Sequence, residues 1–237
     1  MPDAPDPSST DAVDRALTSR RSVRHFLPDE VDRALVEDIL AVASRAASGT
    51  NVQPWRVYVL RGEPKRLLSE RILAVWDDPV RVAEHAEPFA YYPAEWTSPY
   101  RERRRKVGRD LYTLLGIPRG DTAGMHSQHA RNFAFFDAPL GLMFTMDRAL
   151  AQGSLIDYGM FLQSIMIAAR GRGLDTCPQA AFLRFHRIVT ESLGCGGNEM
   201  LVCGMSLGYA DTGAVVNQLR TERVPVRNFA SFIGFEK

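Results

Sequence analysis

The spacing of apolar and polar positions predicts a mixture of helices and strands along most of the chain. After Asp29, which can cap a helix, apolar side chains recur with a helical period: Val31, Leu35, Ile39, Leu40 and Val42. Short apolar runs predict strands over 56–60, 139–145 and 200–206. Shorter helical patterns are expected over 11–18, 64–75 and 185–193.

The strongest helical pattern covers residues 154–170. Apolar side chains occupy most of its circumference: Leu155, Tyr158, Phe161, Leu162, Ile165, Met166 and Ala169. Such a helix is expected to be buried on nearly all sides, so this segment is predicted to be the central helix. Gly171 and Gly173 end it, and a loop over 175–181 is expected to follow.

The length and composition favour one domain. With 237 residues and 45% hydrophobic side chains, the chain suffices for one well-packed core and is too short for two ordinary domains. The domain is predicted to span 11–237, after an acidic, proline-rich lead over 1–10 that is expected to be disordered. A change towards aromatic and charged residues predicts a helical insertion at about 76–132.

The charge and cysteine patterns narrow the classes of partner. A net charge of +1, with acids and bases interspersed, gives no field that attracts nucleic acid or an anionic membrane, so a small-molecule partner is expected. The three cysteines form no CxxC pair, which favours a reducing, cytoplasmic setting without a disulfide framework. No secretory pattern begins the sequence, and no apolar stretch reaches the ~20 residues of a membrane helix.

The basic cluster Arg20-Arg21-Ser22-Val23-Arg24 carries the clearest chemistry. Its guanidinium groups and hydroxyl can make charge-assisted, fork-shaped contacts to a phosphate. Taken alone, such a cluster is more often a solvated surface. Three further motifs follow in order and change that balance: SGTNVQPW, DTCPQAAF and TERVP.

This ordered set of motifs resembles the nitroreductase family of FMN-dependent oxidoreductases, from about Arg20 to Pro225. The resemblance implies an α+β fold with a mostly antiparallel sheet of four or five strands flanked by helices. It also implies an intertwined homodimer with the flavin site at the interface, where the 154–170 helix would lie and the tail from Val215 would reach the partner. The RERRRK-bearing insertion is more similar to that of nitrobenzoate-type nitroreductases than to other branches.

The resemblance further implies which residues bind FMN. The phosphate and ribityl chain would be held by Arg20, Arg21, Ser22 and Arg223. Arg24 would lie beside flavin N1 and O2, where a cation favours the reduced ring. The other subunit would contribute Ser48, Gly49, Asn51 and Gln53. The loop beside the ring, with a backbone N–H for N5, would consist of Pro178, Gln179, Ala180 and Ala181.

Two positions depart from the family pattern. Many members carry an acidic residue and a glycine where this chain has Ala180 and Ala181, so a side-chain contact near N5 is lost and the substrate preference stays open. A lysine is often found at the position of Thr221. The phosphate is therefore expected to meet less positive charge, with Arg20 and Arg223 still sufficient for binding.

The activity that the resemblance implies is hydride transfer from NADPH or NADH, through flavin N5, to a nitroaromatic or similar electron-poor acceptor with ping-pong kinetics. No catalytic side chain is expected, because the flavin carries the chemistry. The same scaffold also supports a dehalogenase, an enone or quinone reductase and a flavin-cleaving oxidase. A flavin-binding protein without turnover is the alternative outside enzymes.

Three other patterns have weaker functional interpretations. His126 and His129 are spaced i, i+3, but no carboxylate at matching spacing supports a metal site. The RERRRK run lacks the interleaved aromatic residues of a nucleic-acid surface. The aromatic group Tyr91, Tyr92 and Trp96 is equally consistent with a lid and with packing, and Cys177 is expected to be a buried structural thiol.

Overall fold

In the computed structural model, which describes residues 7–235, four strands form one antiparallel sheet. β1 (Arg56–Arg61) pairs with β2 (Leu140–Asp147), which pairs with β4 (Glu199–Gly208). The far side of β4 pairs with β3 (Asp175–Gln179), so the order is β1-β2-β4-β3. The predicted α+β fold with an antiparallel sheet is confirmed.

Helices cover both faces of this sheet. In chain order they are α1 (Pro7–Ser19), α2 (Arg33–Ala43), α3 (Gly62–Trp76), α4 (Pro79–Ala83), α5 (Tyr100–Leu114), α6 (Thr122–Ala130), α7 (Gly153–Gly171) and α8 (His186–Ser192). The segment 76–132 thus contains α4, α5 and α6. No helix in the described part of the chain is long and apolar enough to cross a membrane.

The sheet separates two apolar cores. Along β2, Leu142 and Phe144 face the core built with α2 and α7, whereas Met143 faces the core built with α3 and α8. Successive side chains of a strand point to opposite faces, so a strand buried on both sides has a continuous apolar run. This explains the uninterrupted LGLMFTM sequence of β2.

α7 is buried on one face and exposed on the other. Tyr158, Phe161 and Ile165 pack into the core, as predicted for a central helix. On the opposite face, Ile156 is 71% exposed and Met160 is 38% exposed. The predicted burial on nearly all sides is therefore not achieved within a single chain.

The tail after β4 also leaves apolar side chains exposed. It runs along the surface as irregular chain with two short 3-10 turns, Val215–Gln218 and Val226–Asn228. Its exposed apolar side chains are Val215, Val226, Phe229, Phe232, Ile233 and Phe235. These residues have the composition of an interface rather than of a solvated tail.

Several sequence-based expectations need correction. The N-cap of α2 is Asp32 rather than Asp29, and Val42 is exposed instead of facing the core. The predicted loop over 175–181 begins with strand β3; its proline is tolerated because β3 is an edge strand. Of the predicted disordered lead, residues 1–6 lie outside the described residues, and residues 7–10 belong to α1.

Candidate functional site

A cavity of about 680 Å³ opens where α1 ends, beside the C-terminal end of α7. Six arginines contribute to its wall: Arg20, Arg21, Arg24, Arg170, Arg220 and Arg223. Ser22 and Thr221 add hydroxyl groups, and none of the described lining residues is acidic. A concave surface of this composition is suited to an anion with several oxygen acceptors.

Short extended backbone holds the first arginines in place. Ser22 forms a parallel bridge with Thr176 of β3, and the Val23 N–H donates to the Thr176 carbonyl at 3.1 Å. Val23 is fully buried, so its polar neighbours on either side are directed away from the core. The alternation explains why an apolar residue separates Ser22 from Arg24.

Buried Asn217 connects this segment to the tail. Its Oδ1 accepts from the Arg24 N–H at 2.7 Å, and its Nδ2 donates to the carbonyls of His25 and Asp211 at 2.7 and 2.8 Å. Asn217 is only 3% exposed, so its side chain makes these bonds from a buried position. They fix the start of the tail against the cluster, which places Arg220 and Arg223 at the cavity.

The arginines crowd one another. Burial and the charge of Arg223 lower the pKa of Arg20, and burial and the charge of Arg220 lower that of Arg21. The Nε of Arg21 is buried and has no hydrogen-bond partner within the described residues. Like charges held together with an unpaired donor are stabilised by a bound anion.

One arginine of the cavity is already paired. The Arg170 guanidinium contacts the Asp175 carboxylate at 3.1 Å and donates to Ser19 Oγ at 3.0 Å. Burial raises the pKa of Asp175, although the neighbouring arginines oppose that effect. Arg170 therefore shapes the wall, whereas the other arginines carry the available charge.

The structure brings the first predicted group together and adds one residue to it. Arg20, Arg21, Ser22, Arg24 and Arg223 all line the same cavity. Arg220 lines this cavity as well. The sequence pattern had drawn attention only to its neighbour Thr221, which stands where other family members often have a lysine. The guanidinium of Arg220 thus supplies a positive charge next to the position of Thr221, and the expectation of less positive charge than in other family members stays a prediction.

The second predicted group lies elsewhere in the chain. The turn of Ser48, Gly49, Asn51 and Gln53 packs near the N-terminal part of α7, where the Gly49 N–H donates to Asp157 Oδ1 at 3.2 Å. The Gln53 N–H donates to Ser48 Oγ at 3.1 Å and closes the turn. From Asp157 to Arg170 the helix rises about 20 Å, at ~1.5 Å per residue, so one chain does not join the two groups.

The third predicted group lines a separate cavity of about 470 Å³. Pro178, Gln179, Ala180 and Ala181 form one side, and much of the rest is aromatic: Trp76, Tyr92, Phe133 and Phe185. Glu87, His129, Asn132 and Arg184 supply polar groups, so the wall carries one acidic and one guanidinium side chain. The Gln179 side chain is held by protein, since it accepts from Ser206 Oγ at 2.8 Å and donates to the Asn132 carbonyl at 2.6 Å.

The residues with weaker functional interpretations in the sequence pack against neighbouring side chains in the structure. His126 and His129 stack on Trp76 with ring centroids 4.7 and 4.9 Å away, and the described residues hold no cluster of metal ligands. Cys177 is buried, and burial raises the pKa of its thiol to about 11, which fits a structural role. Tyr92 reaches the aromatic cavity, with Tyr91 packed edge-on against it.

Comparisons with known proteins agree with this architecture. A model described as the nitroreductase family matches residues 17–209. A 4-nitrobenzoate reductase of Pseudomonas putida is 44% identical over 228 residues, which cover 96% of this chain and 98% of that protein.

Solved structures match along nearly the whole chain. The FMN and NADPH-dependent nitroreductase NfnB from sphigopyxis sp. strain HMH superposes with a TM-score of 0.90 at 35% identity, covering 94% of this chain and 99% of its own. The FMN-dependent nitroreductase NfnB from Mycobacterium smegmatis, in complex with NADPH, gives a TM-score of 0.89 at 30% identity, with the same coverage of both chains.

Proposed function

The chain belongs to the nitroreductase family, and from that premise we propose that it is an FMN-dependent reductase that uses NADPH or NADH to reduce nitroaromatic compounds. The family match alone leaves open whether these residues fit the cofactor. The observation that carries the proposal is the cavity lined by six arginines.

The cavity fits the phosphate of FMN. A phosphate monoester carries nearly two negative charges and three acceptor oxygens, which matches crowded guanidinium groups and the unpaired Nε of Arg21. Arg20, Arg21, Arg220 and Arg223 would hold the phosphate, with Ser22 beside them. When bound, FMN supplies a ring that accepts and donates hydride at N5.

The residues of the chain bind and orient rather than react. The backbone of Arg24 is fixed by Asn217, and the Arg24 charge would favour an electron-rich cofactor. The aromatic cavity beside Pro178–Ala181 would take the acceptor ring by stacking, and Arg184 at its wall would attract a carboxylate. Because the P. putida relative is named a 4-nitrobenzoate reductase, nitrobenzoates are the first acceptors to test.

The proposed reaction balances without a catalytic side chain. The nicotinamide donor loses a hydride, and the nitro compound takes up that hydride and a proton to give a nitroso compound and water. Donor and acceptor are proposed to bind in turn at the same site, which gives ping-pong kinetics. Parallel lines in double-reciprocal plots at several fixed acceptor concentrations would support this order, and intersecting lines would refute it.

We further propose that the working form is a homodimer. The turn of Ser48 to Gln53 lies about 20 Å from the arginine cavity of its own chain, as the length of α7 requires. The outer face of α7 and the tail expose apolar side chains suited to a second copy: Ile156, Met160, Phe229, Phe232 and Ile233. Dimerisation would bring the turn of one chain to the cavity of the other.

The visible absorption spectrum of the purified protein tests the proposed function. We expect an oxidised flavin spectrum that bleaches with anaerobic NADPH or NADH and returns when 4-nitrobenzoate is added. A bound flavin that neither nicotinamide reduces would indicate a flavin-binding protein without turnover. Failure to bind added FMN would refute the assignment of the arginine cavity.

A further inference from the structure

A third cavity lies between the insertion and the tail. Its volume is about 720 Å³, and α5 together with Trp96, which lies four residues before it, contributes an aromatic and cationic wall: Trp96, Tyr100, Arg103, Arg104 and Lys106. The opposite wall is the tail segment 221–225. Thr221 and Arg223 line both this groove and the arginine cavity, so the two spaces adjoin.

Two cations of this groove lie over aromatic rings. The Arg104 guanidinium lies 5.3 Å from the Trp96 ring centroid, and that of Arg103 lies 5.7 Å from the Tyr100 ring. Within the described residues, neither guanidinium forms a salt bridge. Tyr100 is 58% exposed, so its ring is accessible.

The other charges of the groove partly compensate one another. Lys106 Nζ pairs with Asp110 at 2.6 Å and with Glu222 at 3.3 Å. Arg223 donates to Thr221 Oγ1 at 2.8 Å and to nearby carbonyls. Arg103, Arg104 and Arg223 keep charges without a carboxylate partner within the described residues, and because Arg223 also lines the arginine cavity, Arg103 and Arg104 are the two that face this groove alone.

We infer that this groove binds the phosphorylated adenosine half of the nicotinamide donor, with Arg103 and Arg104 contacting the 2′-phosphate that distinguishes NADPH from NADH. This inference rests on the proposed function. Adenine has a face for stacking on Tyr100 or Trp96, and a phosphate dianion matches two unpaired guanidinium groups. A volume of about 720 Å³ accommodates a nucleotide.

Two observations favour the donor over the acceptor as the occupant. The aromatic cavity beside Pro178–Ala181 already offers a small ring site, and a single carboxylate would use only part of the cationic wall of the groove. The sequence also lacks the glycine-rich fingerprint of a dinucleotide-binding turn, since Gly171-Arg172-Gly173 ends α7 instead of opening a helix. The dinucleotide must be recognised by another surface.

The test compares Arg103→Ala and Arg104→Ala with Arg101→Ala. Arg101 lies on the same helix, pairs with Glu102 at 3.2 Å and does not line the groove. Isothermal titration calorimetry with adenosine 2′,5′-bisphosphate and flavin-loaded protein measures the groove directly. We expect each groove variant to weaken binding about 10- to 100-fold, the range for losing a charged hydrogen bond, and Arg101→Ala to bind like wild type.

Flavin bleaching by the two donors gives a second readout. The ratio of kcat/KM for NADPH to that for NADH should fall about 10- to 100-fold in each groove variant, with flavin content and thermal midpoint unchanged. Wild-type calorimetry without binding, or variants that keep the wild-type ratio, would overturn the inference. A rise in KM for 4-nitrobenzoate with an unchanged donor ratio would assign the groove to the acceptor.

These readouts separate the two proposals. If neither nicotinamide bleaches the flavin, the proposed function fails, whereas calorimetry still shows whether the groove binds the bisphosphate through Arg103 and Arg104. If both donors bleach the flavin equally well and the bisphosphate does not bind, the groove assignment fails and the reductase assignment stands.

Discussion

The proposed flavin site has one half near each end of α7. A single chain assembles the half near the C-terminal end more fully than the half near the N-terminal end. Near the C-terminal end, buried Asn217 and the bridge to β3 hold the lining of the arginine cavity in place. Near the N-terminal end, the turn from Ser48 to Gln53 is largely exposed and contacts α7 through Gly49 and Asp157. A single chain therefore gathers the residues proposed to hold the phosphate in one cavity, whereas the residues that the other subunit is proposed to receive lie on an exposed turn.

Charging the outer face of α7 should have the largest effect, because it removes the partner that would join these halves. We expect Ile156→Glu combined with Met160→Glu to give a monomer whose FMN affinity falls more than about 100-fold, since unpaired buried charges cost several kcal/mol. Size-exclusion chromatography with light scattering and flavin absorbance measures both properties. Val80→Glu, at an exposed position of α4, is the control.

A double variant that stays dimeric and retains flavin would show that the exposed face of α7 is not the interface. A monomer that binds FMN with wild-type affinity would show that one chain suffices for the site. Either result would remove the contrast between the two ends of the helix.

Removing one cation from the arginine cavity, near the C-terminal end of α7, should have the next largest effect. We expect Arg20→Ala to raise the Kd for FMN about 10- to 100-fold and Arg20→Lys to raise it less, because lysine keeps the charge without the fork-shaped donors. Fluorescence titration measures these constants. Riboflavin, which has no phosphate, should bind Arg20→Ala and wild type equally, and Arg187→Ala on α8 serves as the exposed-arginine control.

Equal weakening of FMN and riboflavin by Arg20→Ala would place this residue away from the phosphate. Such a result would contradict the division between a phosphate end and a ring end.

Arg220→Ala should have a smaller effect at the same end. Arg220 is exposed, so solvent screens its charge, and we expect the Kd for FMN to rise about 3- to 10-fold. The dependence of this constant on salt concentration should become shallower. Adding Thr221→Lys should restore the affinity, whereas an unchanged affinity in Arg220→Ala alone would refute its proposed role.

Asp157→Ala, near the N-terminal end of α7, should have the smallest effect. It removes one partly exposed hydrogen bond to Gly49, whose net value is about 0.5–1.5 kcal/mol. We expect the Kd values for FMN and riboflavin to rise together, about 2- to 10-fold. Asp78→Ala, which removes an exposed bond from a backbone N–H to a carboxylate at the start of α4, is the control, and a change confined to FMN would contradict the placement of this turn at the ring.

The sequence predicted most elements because their burial follows a simple period. β2 is a continuous apolar run between two cores, and the inner face of α7 shows the helical period of a packed helix. β3 escaped prediction because its DTCPQ sequence is polar and contains proline, and only its pairing with β4 makes it a strand. The local pattern of apolar and polar residues does not encode stabilisation by pairing with a distant strand.

The site residues could be predicted from the sequence only where they are contiguous in the chain. The Arg20–Arg24 cluster is contiguous and could be recognised from its residues. Arg220 could not, because its position in the cavity depends on Asn217 holding the tail, and an isolated asparagine gives no sign of burial. Nor does periodicity reveal that the apolar outer face of α7 lacks a partner in its own chain.

The division of the flavin site along α7 makes cofactor retention a matter of mass action. In the proposed dimer, FMN binds strongly only to the associated form, so dilution would release flavin even though neither chain unfolds. Linkage requires the reverse effect, with added FMN increasing the fraction of associated chains. A shortage of flavin would then leave separated chains with their apolar tails exposed, so the concentration of the cofactor would govern how much apolar surface the protein presents to solvent.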